Sequence, residues 1–289
     1  MSQSIVDLVR QKYAAAATSR LSGSQSGVRA IAEAFGYSAD DLAALPVGAN
    51  LGLSCGNPTA TANLRPGEVV VDLGCGAGID VLLAARKVGP TGRAIGIDMT
   101  PAMIERARCN AATPIDGQVL SNVEFHIAPI EHMPLTDCSV DCLVSNCVIN
   151  LAADKTAVFR EMFRVLKPGG RVAVSDIALK KTLPVEIARD AEAMIGCIAG
   201  ALPVTEYASG LREAGFEAVQ IIDAHKDLNA YRLIEGQAAC CSPPMTSSSE
   251  TCCGPSATSE VHAGLANLLR RYDINDYAAS VYVYALKGR

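Results

Sequence analysis

The sequence predicts an α/β chain: a doubly wound, parallel sheet behind a helical N-terminal segment. Three observations predict it. Short apolar runs alternate with helix-like segments from Glu68 to Asp223, as in parallel strands joined by crossover helices. A glycine-rich loop, Asp72-Leu73-Gly74-Cys75-Gly76-Ala77-Gly78, joins the first run to the first of these helices. An acidic residue, Asp98, closes the second run.

Each element has its own signal. Ile5 to Ala17 and Val28 to Phe35 read as amphipathic helices, punctuated by Gly23, Gly27 and Gly36. Ser38 can cap a short helix that Pro46 ends. Glu68 to Leu73 is a buried-strand run, and Asp80 to Val88 a helix. Arg93 to Asp98 is a second strand, and Pro101 opens a helix at its first position. Val123 to Ile127 and Val140 to Asn146 are strands, followed by a helix from Asp154 to Leu166. Lys167-Pro168-Gly169-Gly170 reads as a tight stop before a strand from Arg171 to Ile177. A helical insertion follows, Val185 to Ala201, then a helix from Thr205 with Gly215 at its end. Phe216 to Asp223 and Ala279 to Leu286 complete the strands. The expected organisation is a helical segment 1–50, a core 51–223 with an insertion around 181–204, and a C-terminal region 224–289.

Composition narrows the function. The 289 residues are 49% hydrophobic with net charge −5, and the pI is about 5.4. No basic stripe offers a nucleic-acid footprint, and no apolar run reaches membrane-spanning length. The first ten residues carry Asp7 and no apolar core of a signal peptide. The expectation is a soluble, cytoplasmic monomer without nucleic-acid or membrane partners. Eleven cysteines are many for such a chain. Cys109, Cys138 and Cys142 read as small hydrophobes in the core. Cys75 sits in the glycine loop for its size. His126, His132, His225 and His262 form no catalytic constellation.

The loop distinguishes two ligands. A dinucleotide fingerprint would place a third glycine where Ile79 stands. The chain reads Asp-x-Gly-x-Gly-x-Gly instead, which resembles motif I of class I S-adenosylmethionine-dependent methyltransferases. Asp72, Gly74, Cys75, Gly76 and Gly78 then approach the cofactor, and Asp98 binds its ribose hydroxyls. Met99 can pack on adenine, with Ile130 and Glu131 at the adenine end. Asn146 and Val148 face the crevice at the carboxyl end of the fourth strand.

Three cysteine-centred strings surround this loop: Ser54-Cys55-Gly56-Asn57-Pro58, Ser145-Asn146-Cys147-Val148-Ile149-Asn150-Leu151 and Gly196-Cys197-Ile198-Ala199-Gly200-Ala201-Leu202. On this fold they resemble arsenite S-adenosylmethionine methyltransferases over roughly residues 50–235. The resemblance implies a class I Rossmann-like fold. It also implies that Cys55, Cys147 and Cys197 bind trivalent arsenic, with S-adenosylmethionine as cofactor and thioredoxin or glutathione as reducing co-substrate. Detoxification of arsenic would be the purpose. The residues agree: Cys147 follows the fourth strand, Cys197 lies on the insertion, and Cys55 precedes the first strand in a turn open to close approach. Soft thiolates select soft centres. The chain also departs from the family, many of whose members carry a further N-terminal cysteine; here the first is Cys55. Cys240, Cys241, Cys252 and Cys253, in a Ser/Pro-rich stretch, are candidates for capturing arsenic. Two other readings stay open: a small-molecule methyltransferase with structural cysteines, and a metalloid-binding protein without turnover.

Overall fold

The computed structural model describes residues 3–19, 22–115, 117–188, 197–229 and 271–289. The four C-terminal cysteines 240, 241, 252 and 253, residues 189–196 of the predicted insertion helix and His262 lie outside them. Among the described residues, no helix is long and apolar enough to cross a membrane.

Among the described residues, eight strands form one sheet: β1 Val69–Leu73, β2 Arg93–Asp98, β3 Val123–Ile127, β4 Val140–Asn146, β5 Leu166–Leu179, β6 Leu202–Pro203, β7 Phe216–Asp223 and β8 Ala278–Lys287. Their order is β3-β2-β1-β4-β5-β8-β7, with the short β6 beside the end of β5. The first five strands are parallel, as predicted. The last is not: β8 runs antiparallel to both β5 and β7. An antiparallel strand needs no crossover helix.

The described helices are α1 Gln3–Thr18, α2 Ser26–Ala34, α3 Ala39–Ala43, α4 Pro58–Thr61, α5 Ile79–Val88, α6 Pro101–Ala111, α7 Lys155–Val165, α8 Val185–Ala188 and α9 Val204–Glu213. Ser38 and Asp154 cap α3 and α7 through their side chains. Along β1, Val71 and Leu73 enter one core and Val70 the other. Both faces of the sheet are covered at β1, which is why this strand reads as a nearly continuous apolar run. Arg106 of α6 donates to the carbonyls of Ala17 and Ser19 at 2.8 and 3.0 Å, tying the end of α1 to the core.

Three local expectations are corrected. Lys167–Gly170 is not a stop before β5 but an excursion within it, because pairing with β4 slips between Val140 and Cys142. Cys197 sits not on a helix but in a turn, with φ of 63°. Cys142 is buried as expected, whereas Cys109 and Cys138 are exposed.

Candidate active site

The carboxyl ends of β1, β2 and β4 open into a cavity of about 490 Å³, where ligands bind in such sheets. Its floor is the glycine loop. The N–H groups of Gly74 and Cys75 both donate to Ile97 O, at 2.8 and 3.0 Å, and pin the loop to β2. Gly74 has φ of 68°, a region that side chains disfavour. A Cβ there would collide with Val148 at 2.3 Å. Asp98 is held from two sides, by Gly76 N–H at 3.0 Å and Thr100 N–H at 2.8 Å.

Of the predicted cofactor residues, Asp72, Gly74, Cys75, Gly76, Asp98, Met99, Ile130, Glu131, Asn146 and Val148 all line the cavity. Gly78 does not: its α-carbon faces Ala107 and Phe125. Two members have duties the sequence did not reveal. Glu131 accepts Ala153 N–H at 3.1 Å. The Asn146 amide donates to Gly56 O at 2.7 Å and the Tyr37 hydroxyl at 3.0 Å, and accepts Cys55 N–H at 3.0 Å. Asn146 thus links the cavity to the Cys55 turn.

Asp80 was missed, although it directly follows Ile79 beyond the loop. It is buried, its carboxylate accepts the Tyr37 hydroxyl at 2.8 and 2.9 Å, and it also lines the cavity. Burial pushes its pKa up to about 6, against the Tyr37 and Asn146 hydrogen bonds. Burial, and then the charges of Asp80 and Asp98, raise Asp72 well above the ordinary range. Asp98 is raised by burial too. Three buried carboxylates line a cavity with no Lys, Arg or His among its described lining residues. Such a wall favours a cationic guest. The sulfonium and ammonium groups of S-adenosylmethionine fit it.

The structure brings the three motif cysteines together. Cys55, Cys147 and Cys197 are 4, 3 and 2% exposed and share one apolar cluster with Ile31, Phe35, Leu151 and Ile177. Cys55 and Cys147 are joined as a disulfide, with Cα atoms 6.0 Å apart. The Cys197 thiol donates to Cys147 O at 2.7 Å. As a disulfide the Cys55–Cys147 pair offers no thiolate until it is reduced, and the Cys197 thiol lies beside it in the same cluster. Cys147 alone of the three lines the cavity. Gly56 lets the Cys55 turn press on β5, where a Cβ would lie 2.5 Å from Ser175 Cβ. The Ser280 hydroxyl of β8 supports the same turn through Cys55 O at 3.1 Å.

The backbone here is strained. Cys147 and Cys197 adopt φ of 58° and 63°, a left-handed conformation costing a non-glycine residue about 1–2 kcal/mol. Two other buried thiols are no rivals. Burial raises Cys142 to about 12 and Cys75 well above its usual value, so both stay protonated and poor ligands. Gly96 explains Cys75's small size: a Cβ there would meet its sulfur at 2.7 Å.

The chain is similar to known proteins. A family model described as a methyltransferase domain matches residues 64–230. An arsenite methyltransferase of Halobacterium salinarum is 44% identical over 78% of this chain and 63% of its own length. Arsenite methyltransferase of Homo sapiens is 35% identical over 54% of this chain and 43% of its own. The chain thus spans less than two thirds of the length of these curated relatives. An arsenic(III) S-adenosylmethionine methyltransferase from Chlamydomonas reinhardtii superposes with TM-score 0.56 and 28% identity, covering 90% of this chain and 73% of that one. A phosphoethanolamine N-methyltransferase of Haemonchus contortus, 16% identical with TM-score 0.61, covers 82% of this chain and 54% of its own, and shares the fold.

Proposed function

The chain belongs to the methyltransferase-domain family, and from that premise we propose that it methylates trivalent arsenic bound by Cys55, Cys147 and Cys197. One observation carries the reading: three sulfurs remote in sequence meet in one buried cluster, and Cys147 opens onto the cavity. The arsenite methyltransferases among its relatives support it.

S-adenosylmethionine supplies an electrophilic methyl group on a sulfonium. Of the residues lining the cavity, Asp98 would hold the ribose, Asp72 and Asp80 would balance the positive charge, and Met99 and Ile130 would pack on the adenine. The Cys55–Cys147 disulfide must first be reduced, by two thiols that leave as their own disulfide. Each protein thiol then displaces one hydroxide of arsenous acid as water, forming an As–S bond. Three thiolates leave the arsenic lone pair free. That pair would form the As–C bond as the S–C bond of the bound cofactor breaks, its electrons returning to sulfur. The protein contributes orientation, and no general base is required. Thioredoxin or glutathione is the proposed reductant, the proposed setting is cytoplasmic arsenic detoxification by a monomer, and methylated or organic arsenicals are further candidate substrates.

The test incubates the chain with S-adenosylmethionine, a thiol and a panel of trivalent arsenicals. Products are identified by chromatography with element-specific detection. Methylated arsenic is expected, and its absence from every substrate overturns the proposal. The disulfide favours one rival, a small-molecule methyltransferase with structural cysteines. That rival keeps its activity in Cys147→Ser, whereas arsenic methylation is expected to vanish.

A further inference from the structure

Two buried polar residues have no part in this chemistry. Asn150 and Asp176 are both fully buried, and neither lines the cavity. Burying an amide and a carboxylate is unfavourable unless their bonds offset it, so their partners indicate their use.

Asn150 lies in the 3₁₀ turn Ile149–Leu151, three residues beyond Cys147. Its Nδ2 donates to Asp176 Oδ1 at 2.8 Å, to Ile177 O at 2.7 Å and to Cys197 O at 3.3 Å. One amide therefore ties the turn after Cys147, strand β5 and the turn bearing Cys197. Asp176 fixes this amide from β5. Its Oδ1 also accepts Ile177 N–H at 2.9 Å, and its Oδ2 accepts the Tyr207 hydroxyl of α9 at 3.3 Å. Strained residues persist only where their surroundings over-determine them. Cys147 and Cys197 are both left-handed, and this amide stands between their turns. Its remaining atom, Asn150 Oδ1, is buried without a hydrogen-bond partner among the described residues. Stability alone does not favour a side chain that leaves an acceptor stranded.

We propose that Asn150 is a positioning residue for the arsenical: it locks the Cys197 turn against the Cys147 turn, so that the third sulfur reaches the arsenic held by the other two. Asp176 aims the amide. The inference rests on the three-sulfur reading of the site. Residues that orient ligands without touching the bound atom typically change affinity about 10- to 100-fold.

The experiment uses the full chain, reduced with a phosphine, as wild type, Asn150→Ala, Asn150→Ser and Cys197→Ser. Arsenite is titrated and the ultraviolet sulfur-to-arsenic band is recorded. S-adenosylhomocysteine affinity is measured in parallel as a check on the fold. Both Asn150 variants are expected to bind arsenite about 10- to 100-fold more weakly. Their band should approach that of Cys197→Ser, and S-adenosylhomocysteine affinity should stay near wild type. A wild-type band and affinity in both variants overturns the positioning role alone. Loss of S-adenosylhomocysteine binding in both makes Asn150 a structural residue and overturns it too. If Cys197→Ser matches wild type, the three-sulfur reading fails first, and the role of Asn150 falls with it.

Discussion

Charge at single residues governs the cofactor side of the site. Asp72, Asp80 and Asp98 carry pKa values raised chiefly by burial, so an empty cavity retains protons that a solvated carboxylate would release. A cationic guest favours the ionised form and expels them. At pH 6, binding of S-adenosylmethionine should therefore release more protons than binding of S-adenosylhomocysteine, which lacks the sulfonium. Calorimetry in two buffers of different ionisation enthalpy measures the difference, and equal release for both ligands would refute the charge argument. Asp80→Asn should weaken S-adenosylmethionine about 10- to 100-fold, as expected for a charge-assisted contact of about 1.5–3 kcal/mol. Equilibrium dialysis suffices to check it. Asp80 was hidden in the sequence because an acid in the first turn of a helix already has an ordinary explanation, in the helix dipole. Its partner, Tyr37, comes from a segment 43 positions away.

At the scale of elements, the glycine loop makes a demand that mutation can test. Gly74→Ala places a Cβ against Val148 and forces alanine to φ of 68°. The left-handed backbone costs about 1–2 kcal/mol and the collision about 1–3 kcal/mol more. The variant should melt earlier and bind S-adenosylhomocysteine poorly. Adding Val148→Ala should restore part of the melting temperature, since only the steric share is relieved; no recovery at all would falsify this division. The parallel strands β1, β2 and β4 were legible because most of their residues are apolar and buried, and β3 from its short apolar alternation. The excursion at Lys167–Gly170 was not. Gly-Gly after Pro reads as a stop, and only pairing with β4 shows that the strand continues. Cys197 was misassigned for a related reason. Apolar periodicity runs through its neighbours, while its left-handed turn depends on contacts with Cys147 and Asn150. That the three cysteines converge was legible from their strings; that two of them bond to each other was not.

For the whole molecule, buried acids set how stability varies with pH. Burial holds Asp176 at about 7, against the Ile177 and Tyr207 hydrogen bonds and the Lys155 charge. A folded-state pKa raised above the unfolded value means the folded protein holds the extra proton between them. Stability is thus highest below the unfolded value and falls as pH rises from about 4 to about 7, by on the order of 4 kcal/mol for this residue. Asp80 adds a loss in the same direction, up to about 6. Glu68 and Glu161 oppose the trend. Burial raises them, but hydrogen bonds from Arg171 and Arg164 leave both lowered, so their contribution disappears as acid protonates them. Thermal melts should peak near pH 5 and decline toward pH 8, and Asp176→Asn should flatten the decline. A melting temperature that climbs steadily from pH 5 to pH 8 would contradict this.

The position of β8 has a consequence for biogenesis. It lies between β5 and β7 and supplies Ser280 beneath Cys55, yet it belongs to residues 278–287. Every other described strand precedes it in the chain. Until this one emerges, β5 presents an open edge and the Cys55 turn lacks its hydroxyl support. The nascent chain therefore carries its motif thiols before their scaffold is complete. On the proposed function, trivalent arsenic present during synthesis would meet these sulfurs outside their native geometry and compete with folding.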